Sequence, residues 1–433
     1  MNDMKFFRPI LILVLLLNLS SCKDSLTIQP DNRTVADGYY DSAQKVEQAV
    51  IGGYVDLRRA LLANHAFLMY GEARTGDLKV AVDFQQIVSD QKLTADQRYV
   101  KQISDWGYFY DVIRDANNLL DIISKADNKV LNAYQRNLFK GEALALKSIS
   151  YFYLARIWSD IPSAEKNDFG KVFTNKQAVI LASNFAGEAK AILPWMLIND
   201  DGIESLALTR VRFNKTAVTS LLAQEQLWLG KAGDAYTLLT NTFTASTTDS
   251  LSTFGLSLGA DRRTEVPLLP LASNVVSVPL DRFNAIYPAT DTRRSMYNIS
   301  AGENKATLVV TEADVLELLP LREINLLLAE AAWSSSRLAE AKIYLIKAAT
   351  GAAEDYSTLT QANFGDALLK ERRRMLMGTG QRVFDLIRLA KVTVFIPAFT
   401  AADVQKGAAY WPLSSNSLSG NSLNQNSYWL SKN

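Results

Sequence analysis

The sequence predicts a mainly α protein in which helical hairpins form a scaffold and one irregular, partly β lobe is inserted among them. Three observations carry this. Apolar residues recur at three- and four-residue steps through most of the chain. Two distant stretches repeat one helix–turn–helix pattern. Residues 243–320 break with both, being rich in Ser and Thr with short β-branched runs.

At the N-terminus Lys5 and Arg8 precede Pro9 to Leu17, which is almost wholly apolar, and Leu19-Ser20-Ser21-Cys22 follows. This is the layout of a secretory signal. It resembles a bacterial lipoprotein box, in which the signal is cut before the Cys and the new N-terminus is acylated. A membrane-spanning helix needs ~20 apolar residues, about twice this run. We therefore expect a signal peptide over 1–21, a lipid on Cys22, and a polar tether over 22–40. Cys22 is the only cysteine, so the chain cannot form an internal disulfide.

The rest has a globular composition, 48% apolar and 21% charged. Lys plus Arg number 46 against 45 Asp plus Glu, which leaves no basic excess for nucleic acid. One His and one Cys argue against a zinc site, and no cofactor is expected.

The first helix is expected from Ser42, where Val46, Ala49, Val50, Tyr54, Leu57 and Leu61 recur at helical steps. Tyr70 to Asp105 is irregular. A second helix follows from Trp106, with Phe109, Tyr110, Ile113, Asn117 and Leu120 on one face. A third covers Tyr134 to Trp158. Its second half, from Ile149, is apolar nearly all round and so belongs in the centre of the fold. Asp160-Ile161-Pro162 stops it, since Pro cannot continue the hydrogen-bond ladder. Asn184 to Leu197 reads as a helix interrupted by Pro194. Then come Asn214–Leu229 with Asp234–Thr242, and Leu321–Trp333 with Leu338–Ala349. These two pairs are the look-alikes. Leu229-Gly230-Lys231-Ala232-Gly233-Asp234-Ala235 matches Ser335-Ser336-Arg337-Leu338-Ala339-Glu340-Ala341. The first resembles the turn of a tetratricopeptide hairpin, a unit that buries its face only by stacking. Between the pairs, 243–320 carries β-favouring runs such as Asn274 to Val278 and Ala306 to Val310.

Four further stretches stand in a telling order. They are Gly141-Glu142-Ala143-Leu144-Ala145-Leu146-Lys147 running to Ser159-Asp160-Ile161-Pro162; Leu321-Arg322-Glu323-Ile324 to Leu328-Ala329-Glu330-Ala331; Glu371-Arg372-Arg373 continuing to Gly380-Gln381-Arg382-Val383-Phe384-Asp385-Leu386-Ile387-Arg388; and Trp411-Pro412-Leu413 closing with Leu423-Asn424-Gln425-Asn426-Ser427-Tyr428. Together, behind the Cys22 motif, they resemble the SusD/RagB-like outer-membrane lipoproteins of starch-utilisation type. The resemblance implies a SusD-like α-helical domain over 41–433, with tetratricopeptide-like hairpins supporting an irregular ligand-binding lobe. It implies lipid anchoring on the outer face of the outer membrane and partnership with a SusC-like TonB-dependent transporter barrel. The implied role is capture of oligosaccharide, or peptide, nutrients, with no enzymatic activity. The chain departs from the family in having Lys147 where Arg is usual and Ser159 where Gly is usual. Two other classes stay open: a helical-repeat scaffold lipoprotein for envelope assembly, and an all-α glycan-cleaving enzyme.

For ligand contact the candidates are Tyr70, Asp77 and Phe84 in the first irregular stretch, and Phe283, Tyr287, Tyr297 and Asn298 in the second. Aromatic faces suit sugar rings and Asp or Asn fixes hydroxyls. For any one of them taken singly, ordinary packing is the more frequent fate. The Glu371–Arg374 cluster is expected to be a structural ion-pair knot with Asp385, and Arg382, Asp385 and Arg388 share one helix side. Gly378-Thr379-Gly380 reads as a helix break and not as a phosphate cradle. Asn199-Asp200-Asp201-Gly202 is a turn lacking the ligand spacing of a calcium loop. No two acids are spaced as a glycosidase pair.

Overall fold

The computed structural model describes residues 36–81, 85–94, 103, 105–243, 254–257, 276–308, 315–352, 354–419 and 423–432. The 1–21 leader, Cys22, most of the 22–40 tether and Phe84 lie outside them. The fold is mostly helical with a few small strands, as the sequence predicts.

The first layer is built from α1 (Ala43–Leu62), α3 (Gly107–Lys125), α4 (Ala133–Trp158) and α5 (Asn175–Ile192), with the short α2 (Ala66–Gly71) between the first two. The predicted faces meet. Val46, Val50 and Leu57 of α1 and Phe109 and Ile113 of α3 join Leu146 and Phe152 of α4 in one core cluster. From Gly141 to Trp158 every residue of α4 is buried, so this helix has no polar face and is the axis of the fold. Its start is fixed by a capping box, in which Asn132 Oδ1 accepts the Gln135 N–H while Gln135 Oε1 accepts the Asn132 N–H. At its end Ser159 has φ +71°, the left-handed region that explains why Gly is usual there.

Helix α5 corrects the expected Asn184–Leu197. It begins nine residues earlier, because Thr174 and Gln177 form a second capping box. It ends before Pro194, which therefore interrupts nothing.

The two look-alike hairpins are α6 (Lys215–Trp228) with α7 (Ala232–Thr242), and α9 (Ile324–Ser334) with α10 (Leu338–Ala348). Their turns share one backbone. Gly230 and Ser336 both have positive φ, +73° and +61°. Lys231 N–H bonds Gln226 O at 2.8 Å, and Arg337 N–H bonds Ala332 O at 2.8 Å, the six-to-one bond of a Schellman stop. The hairpins stack, with Ala235 and Leu239 of α7 against Leu327, Leu328 and Ala331 of α9. Helix α11 (Phe364–Met375) then packs Phe364 and Leu368 into the α9–α10 core, and α12 (Arg382–Arg388) follows a tight loop.

The described part of 243–320 holds five strands, one short α-helix and one 3-10 helix, Thr292–Met296. A four-stranded antiparallel sheet has the order β1 (Lys79–Val80), β3 (Val276–Pro279), β5 (Lys305–Leu308), β4 (Tyr297–Ser300), with pairs Val80↔Val276, Val278↔Ala306 and Ile299↔Ala306. The strands β2 (Phe254–Ser257) and β6 (Val315–Leu319) form a separate antiparallel ribbon. Helix α8 (Leu280–Ile286) follows β3 directly. Its Phe283 meets Tyr287 and Tyr297 at ring-centroid distances of 5.2 and 5.0 Å. The Tyr287 hydroxyl donates to Arg374 O of α11 at 2.8 Å, which fastens the β lobe to the hairpin scaffold.

The arginine cluster is buried and paired, as expected. Arg372 Nη2 meets Glu323 at 2.6 Å, and its Nε lies 2.8 Å from Asp385 Oδ2, near enough for an ion pair though its N–H points off line. Arg388 bonds Glu330 at 2.6 Å and Asp385 at 2.9 Å. Arg374 pairs with Glu371 and Glu354. Among the described residues no helix is long and apolar enough to cross a membrane.

Candidate functional site

Most of the candidate ligand aromatics turn inward, and the reading is corrected for them. Tyr70, Phe283 and Tyr287 are about 1% exposed or less, and Tyr297 is 8% exposed. Tyr70 stacks edge-on against Trp158 and Trp411, and its hydroxyl bonds Ile103 O. The Tyr287 and Tyr297 hydroxyls bond each other at 2.9 Å. The small cavity beside Tyr297, about 20 Å³, has room for roughly one water. A large aromatic gains more from burial than from waiting for a ligand, and sequence spacing alone does not separate the two fates. Asn298 is exposed, but on β4, the far edge of the sheet from β1.

Asp77 is the exception. It lines a cleft of about 580 Å³, within the usual size of ligand sites. Three remote parts of the chain build it: the turn after α2 with residues 89–91, Arg282 on α8, and Arg373, Arg382 and Val394 to Ala398 near the C-terminus.

Its floor is rigid for reasons that start with two glycines. A Cβ on Gly71 would lie 1.6 Å from Gly380 O, so the end of α2 touches the α11–α12 loop backbone to backbone. Gly378 and Gly380, at φ +80° and +73°, turn their N–H groups onto the Glu72 carboxylate, both at 2.9 Å. The Gly-Thr-Gly motif thus cradles an internal carboxyl group, not a phosphate. Burial pushes the Glu72 carboxyl up to about 8, against the pull of these two donors.

On this floor Arg373 clasps Asp77 with two bonds, Nε to Oδ2 at 2.8 Å and Nη2 to Oδ1. Arg74 is held by Ala409 O and Ala408 O, both at 2.7 Å, and by Gln91 Oε1 at 3.0 Å. Arg382 donates to Leu369 O at 3.0 Å and lies over the Phe395 ring, 4.6 Å from its centroid. Its Nε–H meets no acceptor. Burial pushes Arg382 down to about 10, so it is still a cation at neutral pH. Arg382 thus differs from its neighbours in the arginine cluster, having no direct carboxylate partner. Half-buried Phe395 and exposed Pro397 form an apolar wall beside these polar groups.

A second cleft of about 440 Å³ lies at the start of α1. Its Arg212 is clamped by Glu142 at 2.8 and 2.7 Å and by Glu47, so that charge is spent on the fold. Among the described residues no group of three His, Cys, Asp or Glu side chains could hold a metal ion.

Of the cleft, sequence reasoning found Asp77 and missed Arg74, Arg282, Arg373 and Phe395. The available signal was the surplus of arginines over nearby acids around 372–388, read there as wholly structural.

Comparison with known proteins gives one consistent answer. A SusD-like family model, described as starch-binding and associating with the outer membrane, matches residues 26–227. The SusD-like protein P38 of Formosa agariphila is 24% identical over 261 residues, which is 58% of this chain and 48% of that one. A SusD-like protein of Bacteroides ovatus is 24% identical over 157 residues, 34% of this chain and 27% of that one. The chain thus matches about half or less of the length of these curated relatives. A SusD superfamily crystal structure from Bacteroides thetaiotaomicron superposes with a TM-score of 0.75 at 22% identity, covering 90% of this chain and 99% of that one. A laminarin-binding SusD-like protein superposes at 0.65 with 18% identity, covering 90% and 100%. At such identities the superpositions speak for the fold.

Proposed function

We propose that this chain, a SusD-like protein, binds an oligosaccharide in the Asp77 cleft and hands it to a TonB-dependent barrel in the outer membrane, where lipid on Cys22 holds it. The observation that carries the reading is the cleft itself. Fixed donors and acceptors line it beside an apolar wall, which is what the polar edge and flat face of a sugar ring require. Donors locked by second bonds lose little freedom when a ligand arrives. The carbohydrate-binding neighbour and the starch-binding description of the family model support the ligand class.

Binding without cleavage fits the acids present. A general acid needs a carboxyl free to give up a proton at the scissile bond. Asp77 is locked by Arg373, and exposed Asp90 pairs with Lys92 at 3.2 Å.

The test is calorimetric binding of soluble oligosaccharides to the purified protein and to Phe395→Ala, with thermal midpoints for both. We expect Phe395→Ala to bind about tenfold more weakly, the loss of one ring contact, while remaining folded. Equal affinity in the two proteins refutes this cleft as the site.

A further inference from the structure

Resting on the reading of this cleft as a saccharide site, we propose that its ligand is acidic: an oligosaccharide carrying carboxylate or sulfate groups. Four arginines and two aspartates line the cleft, and the pairing pattern is more telling than the count. Asp77 is neutralised by Arg373, and Asp90 by Lys92. Three arginines are left over. Arg74 is bonded only to neutral carbonyl oxygens, of Ala408, Ala409 and Gln91. Arg382, 4% exposed, has a single backbone acceptor and an Nε–H with none. Exposed Arg282 lines the same cleft and forms no ion pair with a carboxylate among the described residues.

A buried cation without a counter-charge is expensive to keep. Elsewhere this chain pays attention to that rule: Arg212, Arg293, Arg372, Arg374 and Arg388 all meet carboxylates. Among buried arginines the exceptions are Arg156, enclosed by the rings of Phe152, Tyr153 and Phe384 and bonded to Gln381, and Arg74 and Arg382, which share one open cleft with exposed Arg282. Guanidinium groups bond carboxylate and sulfate oxygens through charge-assisted pairs. A neutral sugar that displaced water from this cleft would leave the same charges dehydrated and unpaired, so the charge pattern discriminates against it.

The test uses two matched pairs of glycans on the full-length protein: oligogalacturonides against the same oligomers methyl-esterified, and dextran sulfate against dextran of equal length. Titrations are run at low and high salt with wild type, Arg282→Ala and Arg282→Glu. Arg282 is exposed on α8, so both variants keep the core intact. We expect the charged member of at least one pair to bind about tenfold or more tightly than its neutral counterpart. That advantage should shrink in high salt and fall through Arg282→Ala to Arg282→Glu. Which pair shows it separates carboxylate from sulfate. Equal binding within both pairs overturns the acidic preference and leaves the saccharide cleft standing. Charged glycans that bind Arg282→Glu as tightly as wild type sit elsewhere and overturn the assignment. Binding to none of the four overturns both.

Discussion

Glu225 makes the stability of this protein depend on pH in a direction opposite to ordinary acid denaturation. It lies on α6, fully buried, with Oε1 accepting the Ser148 hydroxyl at 2.6 Å and Oε2 meeting no donor. Burial pushes its carboxyl from the ordinary 4.5 up to about 8, against smaller pulls from Ser148 and Arg156. The folded chain therefore keeps a proton that the unfolded chain gives up. The stabilisation from that proton is fully present below the unfolded value and is lost as pH rises through the folded one. The slope is at most about 1.4 kcal/mol per pH unit, so between pH 5 and 8 this one group accounts for up to about 4 kcal/mol. Glu225→Gln keeps the volume and the acceptor for Ser148 but cannot ionise. Urea denaturation of both proteins at pH 5, 6.5 and 8 isolates it from all other titrating groups. The variant should be close to wild type, or slightly less stable, at pH 5 and more stable by a few kcal/mol at pH 8. A difference between the two proteins that does not change with pH refutes the argument.

Two further changes probe the cleft floor and the turns. Arg373→Ala leaves the Asp77 carboxylate, 4% exposed, without its clasp and should cost about 2–4 kcal/mol in urea unfolding. Adding Asp77→Asn should recover most of it, and additive losses would show that the pair is not coupled. Ala390, exposed at φ +53°, closes α12 with the same stop as Gly230, its neighbour Lys391 bonding Leu386 O at 2.8 Å. Ala390→Gly should relieve left-handed strain and raise stability by about 0.5–1 kcal/mol. A lowered thermal midpoint would contradict that turn geometry.

Much of the fold was legible because its signals are local. The face of α1, the all-round apolar stretch of α4 and the two matching hairpin turns are each written within a few residues. Even the error at α5 was a local signal overlooked, the box from Thr174 to Gln177. Resemblance to the SusD-like family was legible too, in four motifs and their order. The cleft was not. Asp77 and Arg373 lie 296 residues apart, and nothing near either one names the other. Aromatic residues look alike in sequence whether they pack or bind, and Tyr70, Phe283 and Tyr287 are inside because helices bring partners to both sides of them. Composition showed charges in near balance over the whole chain. Only the tertiary structure decided which arginines found carboxylates and which were left facing a cleft, because pairing is a matter of distance in space and each carboxylate can be spent only once.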